Sequence, residues 1–176
     1  MLNKKLKFAV LGTGFWSTLQ IPAWFEAGNV ELVAMYNRTV EKAQSMGEIY
    51  GVKNIYADPR ELFENEKLDF VDIITEVPAH EKLVKLAAEY KVNVVCQKPM
   101  SGSYESCTGM VKSCENAGVR FIIHENFRTQ PRFRQLKKIL DKNPVGKIRR
   151  AEINYSNRGR TTLPNQPFLW MKSLMF

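Results

Sequence analysis

The sequence predicts an α/β protein in which a doubly wound parallel sheet is followed by the start of a second α/β unit. Two observations carry this expectation. Short apolar runs alternate with amphipathic helical stretches from Lys7 to Ile123, several of the runs having no polar alternation, and a glycine-rich turn joins the first run to the first helical stretch. Strands that are apolar throughout are buried on both faces, as in a parallel sheet with helices on each side.

Lys7 to Leu11 (KFAVL) reads as a strand ending at Gly12, and a helical pattern from Phe15 to Ala27 stops at Gly28-Asn29. Val30 to Tyr36 is a second strand, and Val40 to Tyr50 a helix closed by Gly51. After a short strand at Asn54 to Ala57, Pro59 opens a helix at its first turn, where a missing N–H is harmless. Phe70 to Ile74 is a strand, and Pro78 opens a helix with Leu83, Leu86, Ala87 and Tyr90 on one apolar face. Val92 to Cys96 is the next strand. Ser103 to Ala117 is a helix with Cys107, Val111 and Cys114 on one face, and Val119 to Ile123 closes the series.

The first unit is expected to span residues 1–124 and the second 125–176, because basic residues accumulate from His124 onward. There Pro131 begins a helix with Phe133, Leu136 and Leu140 inward and Arg132, Lys137 and Lys138 outward. Ile148 to Tyr155 reads as one strand of a new sheet. A lone strand cannot bury both faces, so the tail with Trp170, Leu174 and Phe176 reads as an interrupted domain.

At 176 residues, 44% hydrophobic and 25% charged, the chain fills one sizeable core and part of a second, which excludes a disordered protein. No apolar run reaches the roughly 18 residues of a membrane span, and the apolar stretch near the N-terminus is too short for a signal peptide. A cytoplasmic protein without a membrane partner is expected. Cys96, Cys107 and Cys114 lack metal-site spacing and read as reduced core thiols.

Residues 119–176 hold 13 Lys and Arg against 3 Asp and Glu, a net charge of +10, while residues 1–118 carry −2. The asymmetry is compatible with nucleic acid, an anionic substrate or cofactor, a missing acidic counterpart, or a solvated basic face. Arg132, Arg134, Lys137, Lys138, Arg149 and Arg150 would be the phosphate contacts of a nucleic-acid site. No nucleic-acid motif accompanies them, and a nucleic-acid partner is not expected.

The turn Gly12-Thr13-Gly14-Phe15-Trp16-Ser17 matches G-x-G-x-x-G except at its last position. The first glycine permits the tight turn, the second lets backbone approach a pyrophosphate, and the helix start supplies N–H donors and a positive dipole. A plain glycine turn is the alternative; its place between the first strand and first helix favours a dinucleotide site. Where a ribose-binding carboxylate would stand, at the end of the second strand, the chain has Asn37-Arg38. Asn37 removes repulsion of a 2′-phosphate and Arg38 would pair with it, so NAD(P) is expected with an inclination to NADP. Arg38 as an exposed residue at a helix start is the other reading. Gln97-Lys98-Pro99 follows an apolar strand, at the sheet edge that borders the ligand crevice. Lys98 there would bind a substrate hydroxyl or the cofactor, or would be a surface lysine before a turn proline.

The order GTGFWSTLQIPAW, ITEVPAHEKLVKLAAEYKVNVVCQKP, HENFR resembles the glucose-fructose oxidoreductase, inositol dehydrogenase and rhizopine-catabolism (Gfo/Idh/MocA) family over essentially the whole chain. The pairing of Thr75 and His80, then a helix, a strand and a lysine-proline pair, carries the resemblance more specifically than the glycine turn. It implies an N-terminal Rossmann domain, a C-terminal α/β domain with a large open sheet, and NAD(P)-dependent oxidation or reduction of sugars, polyols and related hydroxy compounds.

Carried over, Lys98 is the catalytic lysine; Gly12, Thr13, Gly14, Phe15, Trp16, Asn37, Arg38 and Gln97 contact the cofactor. Thr75, Glu76, Val77 and His80 line its crevice, and Asn126 and Arg128 lie where nicotinamide and substrate meet. His80 has a second reading, as a packed histidine near a helix start. Two positions depart from the family pattern: Ser17 replaces the third glycine, and Gln97 the glutamate common before the lysine. The resemblance also implies a chain about twice this length, with an Asp and His pair beyond Phe176 and assembly of homo-oligomers through the C-terminal sheet. A fragment is therefore expected, either an incomplete oxidoreductase or a dinucleotide-binding module without turnover.

Overall fold

The computed structural model describes residues 4–154. Its contacts divide the chain after Glu125, and the two parts are described separately.

The first part contains β1 (Leu6–Leu11), α1 (Ser17–Ala27), β2 (Val30–Tyr36), α2 (Val40–Tyr50), β3 (Asn54–Tyr56) and α3 (Pro59–Asn65). It continues with β4 (Phe70–Ile73), α4 (Val77–Glu89), β5 (Asn93–Gln97), α5 (Tyr104–Ala117) and β6 (Phe121–His124). The strands form one sheet in the order β3-β2-β1-β4-β5-β6, all pairs parallel. The chain builds outward from β1 through β2 to β3, then returns to the other side of β1 for β4. That reversal opens a crevice at the carboxyl ends of β1 and β4, where open α/β sheets bind ligands.

Local chemistry sets several boundaries. Asp58 accepts the Arg60 N–H at 2.8 Å and starts α3 immediately before Pro59. Ser103 caps α5 by accepting from the Ser106 N–H at 3.1 Å. Gly51 ends α2 in the left-handed region, φ 69°, which a β-carbon disfavours.

Side chains alternating along each strand feed two cores. Ala9, Leu11, Val71, Ile73, Val94 and Cys96 pack with Leu62, Leu83, Val84, Ala87 and Met110 from α3, α4 and α5. Phe8, Val10, Met35 and Phe70 pack with Ile21, Ala43 and Met46 from α1 and α2. Phe70 stacks on Phe8 at 5.0 Å between centroids, with the Trp24 ring 4.9 Å from Phe70. Each fully buried side chain of this size contributes about 1.5–3 kcal/mol relative to exposure.

Some sequence expectations shift. Strand pairing, with Val94 opposite Phe121, moves β5 and β6 one or two residues later than the apolar runs suggest. On α5 the buried residues are Met110 and Cys114, with Cys107 half-buried, while Val111 is exposed. Positions 110, 114 and 107 run across the covered part of one helical face, and 111 lies at that face's edge, 37% exposed.

The second part begins with a turn of helix that the sequence pattern did not announce, α6 (Asn126–Thr129), followed by α7 (Pro131–Asp141). Phe133 is half-buried with its ring 6.1 Å from Phe127, but Leu136 and Leu140, expected inward, are exposed. Two short helices do not supply the second layer that would bury the stripe. Residues 148–154 form no strand, contrary to expectation, because no other strand of this part stands among the described residues to close a ladder. Tyr155, Trp170, Leu174 and Phe176 lie outside the described residues.

Candidate functional site

Gly12 leaves β1 at φ 105°, and a β-carbon there would lie 2.8 Å from the backbone C and O of Ile74 and 2.9 Å from the Thr75 N. Its own N–H donates to the Tyr36 carbonyl at 2.8 Å, so the turn is pinned between the ends of β2 and β4. Only glycine meets both conditions. Gly14 is different: a β-carbon built on it meets nothing within 4 Å, and the space above the turn is open. Ser17, buried at the third glycine position, turns its Oγ back to donate to the Gly14 carbonyl at 2.5 Å, which accommodates the hydroxyl.

At the end of β2, Asn37 is occupied by backbone: its Oδ1 accepts from the Thr13 N–H at 3.3 Å and its Nδ2 donates to the Thr39 carbonyl at 2.8 Å. It therefore ties the β2 end to the glycine turn. Arg38 is exposed beside it. A cleft of about 330 Å³ opens here, lined by Gly12, Gly14, Asn37, Arg38, Thr75 and Glu76, with the cations Lys42 and Lys82 also on its wall.

Lys98 follows β5, and the Lys98–Pro99 peptide bond is cis. The Lys98 Nζ stands 5.6 Å from the centroid of the Trp16 ring, over its face. The glycine turn and the lysine loop, far apart in sequence, thus meet. Trp16 and Phe15 remain exposed, their rings edge to face at 5.7 Å.

His80 has no exposed surface. Its Nε2 lies 3.1 Å from the Thr75 carbonyl, and its Nδ1 3.1 Å and 3.3 Å from the carbonyls of Pro99 and Met100. One buried ring thus bridges the loops after β4 and β5, the tautomer deciding which carbonyl receives a proton. Glu76 is the exposed N-cap residue of α4 and Val77 its half-buried first residue. Asn126 and Arg128 stand on α6 in the second part, both exposed.

The sequence reading missed a buried polar row beneath the lysine loop. Asp72, with no exposed surface, sits on β4 among apolar neighbours and faces α1. Its Oδ2 accepts from Trp24 Nε1 at 2.6 Å, and both oxygens lie 2.7 Å from Gln20 Nε2. Gln20 Oε1 accepts from Gln97 Nε2 at 2.7 Å, and Gln97 Oε1 accepts from the Lys98 backbone N–H at 3.0 Å. Burial pushes the Asp72 carboxyl up to about 6, against the hydrogen bonds from Trp24 and Gln20 that lower it. Burial also raises the Cys96 thiol to about 12, assisted by the Asp72 and Cys114 charges, so Cys96 is an inert thiol. The available signal was an aspartate inside the run FVDII, since a buried charge needs partners.

Two hydroxyls on the crevice, Thr13 Oγ1 and Thr75 Oγ1, are buried and without a hydrogen-bond partner. Orphaned groups beside an open glycine turn and a cation-lined cleft suit a phosphate-bearing dinucleotide, and the residues present fit such a cofactor. Among the described residues no group of three or more His, Cys, Asp and Glu side chains is placed to hold a metal ion.

Comparison with known proteins matches residues 6–125 to the GFO_IDH_MocA oxidoreductase family, NAD-binding Rossmann fold. The chain is 37% identical over 143 residues to a D-apiose dehydrogenase of Paraburkholderia graminis, covering 81% of this chain and 38% of that one. It is 33% identical over 165 residues to a D-apiose dehydrogenase of Rhizobium rhizogenes, covering 94% and 48%. Among solved structures, an oxidoreductase from Agrobacterium radiobacter in complex with NAD+, L-tartaric acid and magnesium superposes with a TM-score of 0.77 at 35% identity, covering 82% and 42%. The chain spans less than half the length of these relatives.

Proposed function

We propose, since this chain belongs to the Gfo/Idh/MocA oxidoreductase family with its NAD-binding Rossmann fold, that it holds NAD(P) across the crevice and serves dehydrogenation of a sugar, polyol or related hydroxy compound. One observation carries the reading: the Lys98 ammonium is brought to the glycine-rich turn, 5.6 Å from the Trp16 ring. A cation and a dinucleotide turn share one sheet edge, where a bound substrate would lie between them.

In this reading Gly12 lets the turn pass against Ile74, and the open space over Gly14 with the start of α1 receives the pyrophosphate. The Thr13 and Thr75 hydroxyls gain the partners they lack. Lys98 donates a hydrogen bond to the reacting hydroxyl and favours its deprotonation, and the bound nicotinamide supplies the hydride acceptor. His80 holds the two loops around the reacting end in register. The sugar or polyol class is supported by the likeness to D-apiose dehydrogenases.

NADP is favoured over NAD. No carboxylate follows β2 to repel a 2′-phosphate, and Arg38, Lys42 and Lys82 surround the cleft with positive charge. Asn37 contributes by ordering the turn, its amide being already committed to backbone.

Calorimetric titration of the folded chain with NADPH and NADH tests this. NADPH binding that weakens about tenfold in Arg38→Ala, with NADH binding unchanged, is the expected result. Binding of neither nucleotide would refute the cofactor reading, and equal losses for both would refute the phosphate contact.

A further inference from the structure

We propose that Asp72 is a positioning residue for the Lys98 loop: its carboxylate fixes the direction of the hydrogen-bond row through Gln20 and Gln97 that ends on the Lys98 backbone N–H. The functional weight of this inference rests on the reading of Lys98 given above, whereas the row itself stands on geometry alone.

Both ends of the row can only donate. The Trp24 indole N–H enters at one end and the Lys98 backbone N–H at the other. Between them stand Asp72, Gln20 and Gln97. A side-chain amide accepts on its oxygen and donates from its nitrogen, so it passes direction along unchanged. A row made of amides alone runs one way and cannot receive donors at both ends. One member must accept from both sides, and Asp72 is that member. Its oxygens take Trp24 Nε1 at 2.6 Å and Gln20 Nε2 at 2.7 Å, which turns the Gln20 oxygen to Gln97 and the Gln97 oxygen to Lys98.

Asp72 has no exposed surface and Gln20 is 6% exposed, so solvent does not stand in for a lost partner there. With Asn at 72, the amide oxygen accepts from Trp24 and the amide nitrogen faces Gln20. Gln20 and Gln97 then turn over, and a Gln97 N–H confronts the Lys98 N–H. The defect introduced at the sheet centre thus emerges at the lysine loop. With Glu at 97 as well, the reversed row ends on a carboxylate again and the Lys98 N–H regains an acceptor. The row needs one carboxylate and accepts it at either position. Glu at 97 alone places carboxylates on both sides of Gln20 and leaves the Gln20 oxygen without a donor.

The experiment is amide hydrogen exchange at Lys98 in the wild-type chain, Asp72→Asn, Gln97→Glu and the double variant, with amides of β2 as reference. Exchange at Lys98 is expected to quicken about tenfold in Asp72→Asn, to stay within about threefold of wild type in Gln97→Glu, where a carboxylate oxygen still accepts from the Lys98 N–H, and to return to within about threefold of wild type when the two are combined. Unchanged protection in Asp72→Asn, or a double variant no better than Asp72→Asn, would overturn the proposal. Should Asp72→Asn fail to fold, recovery of a folded chain in the double variant supports the proposal and its failure to fold overturns it. NADPH titration of the same chains separates the two readings. Rescue of exchange in a chain that binds no nucleotide leaves the row intact and removes the cofactor reading; nucleotide binding without rescue does the reverse.

Discussion

Arg38 stands exposed after β2 with Lys42 and Lys82 around an open cleft, whereas Gln97, at the end of β5, is joined to Gln20, Asp72 and Lys98 in a row that runs into the sheet. The two ends of the crevice use polar groups in opposite ways. At the first, each cation is solvated and acts by itself, so one substitution changes one property. At the second, each group's orientation depends on its neighbour's, so a change is felt along the row and is repaired only by a matched second change. On the proposed reading, selectivity for the cofactor's distal end can therefore drift residue by residue, while the lysine loop is altered only in concert.

The largest effect tests the wall common to both ends. Gly12→Val places a β-carbon 2.8 Å from rigid backbone at φ 105°, and a loss of about 4 kcal/mol of folding stability, or failure to fold, is expected by urea denaturation.

Next comes the charge at the buried end. Burial raises the Asp72 pKa from 3.8 to about 6. Below 3.8 both folded and unfolded chains carry the proton and the group contributes nothing. Between 3.8 and about 6 the folded chain keeps a proton that the unfolded chain releases, so this group's contribution to stability falls as pH rises, and above about 6 the buried charge costs about 3 kcal/mol. Urea unfolding should show the wild type losing roughly 1 kcal/mol relative to Asp72→Asn between about pH 5 and about pH 7.5. A constant difference between the two chains would place the carboxylate in contact with water. Global stability and loop order thus separate: removing the charge relieves the core while disordering Lys98.

The open end responds more mildly. Arg38→Ala should lower NADPH affinity about tenfold without touching Lys98 exchange, the sharpest form of the contrast. Lys82→Ala, a solvated cation on the same cleft, should lower it only about twofold and lose that effect at high salt. Both are read by calorimetric titration at two ionic strengths. A change in Lys98 amide exchange in either variant would show that the two ends are coupled.

Much of this was legible in the chain itself. The strand, turn and helix order depends on neighbours within a few residues, and periodicity reports it, whereas the caps at Asp58 and Ser103, though equally local, were seen only in the structure. The glycine turn, Arg38 and Lys98 are equally local, since each lies at a strand end where the motif or the apolar run stops. What failed lies at the edges of elements and in the second part. β5 and β6 took their limits from each other, Val111 lies at the edge of the covered face of α5, and among the described residues no second layer buries Leu136 and Leu140 of α7.

The sequence by itself determined the alternation of strands and helices, the place of the glycine-rich turn and the lysine-proline loop, and the missing carboxylate after β2. Only the tertiary structure decided that Asp72 meets Gln20 and Trp24, that His80 joins the loops of Thr75 and Pro99, and that Lys98 stands over Trp16. The reason is the range of the forces involved. Apolar periodicity and capping act within one or two turns of chain, whereas the partner of a buried donor or acceptor is set by which strands lie side by side. That follows from the return of β4 to the far side of β1.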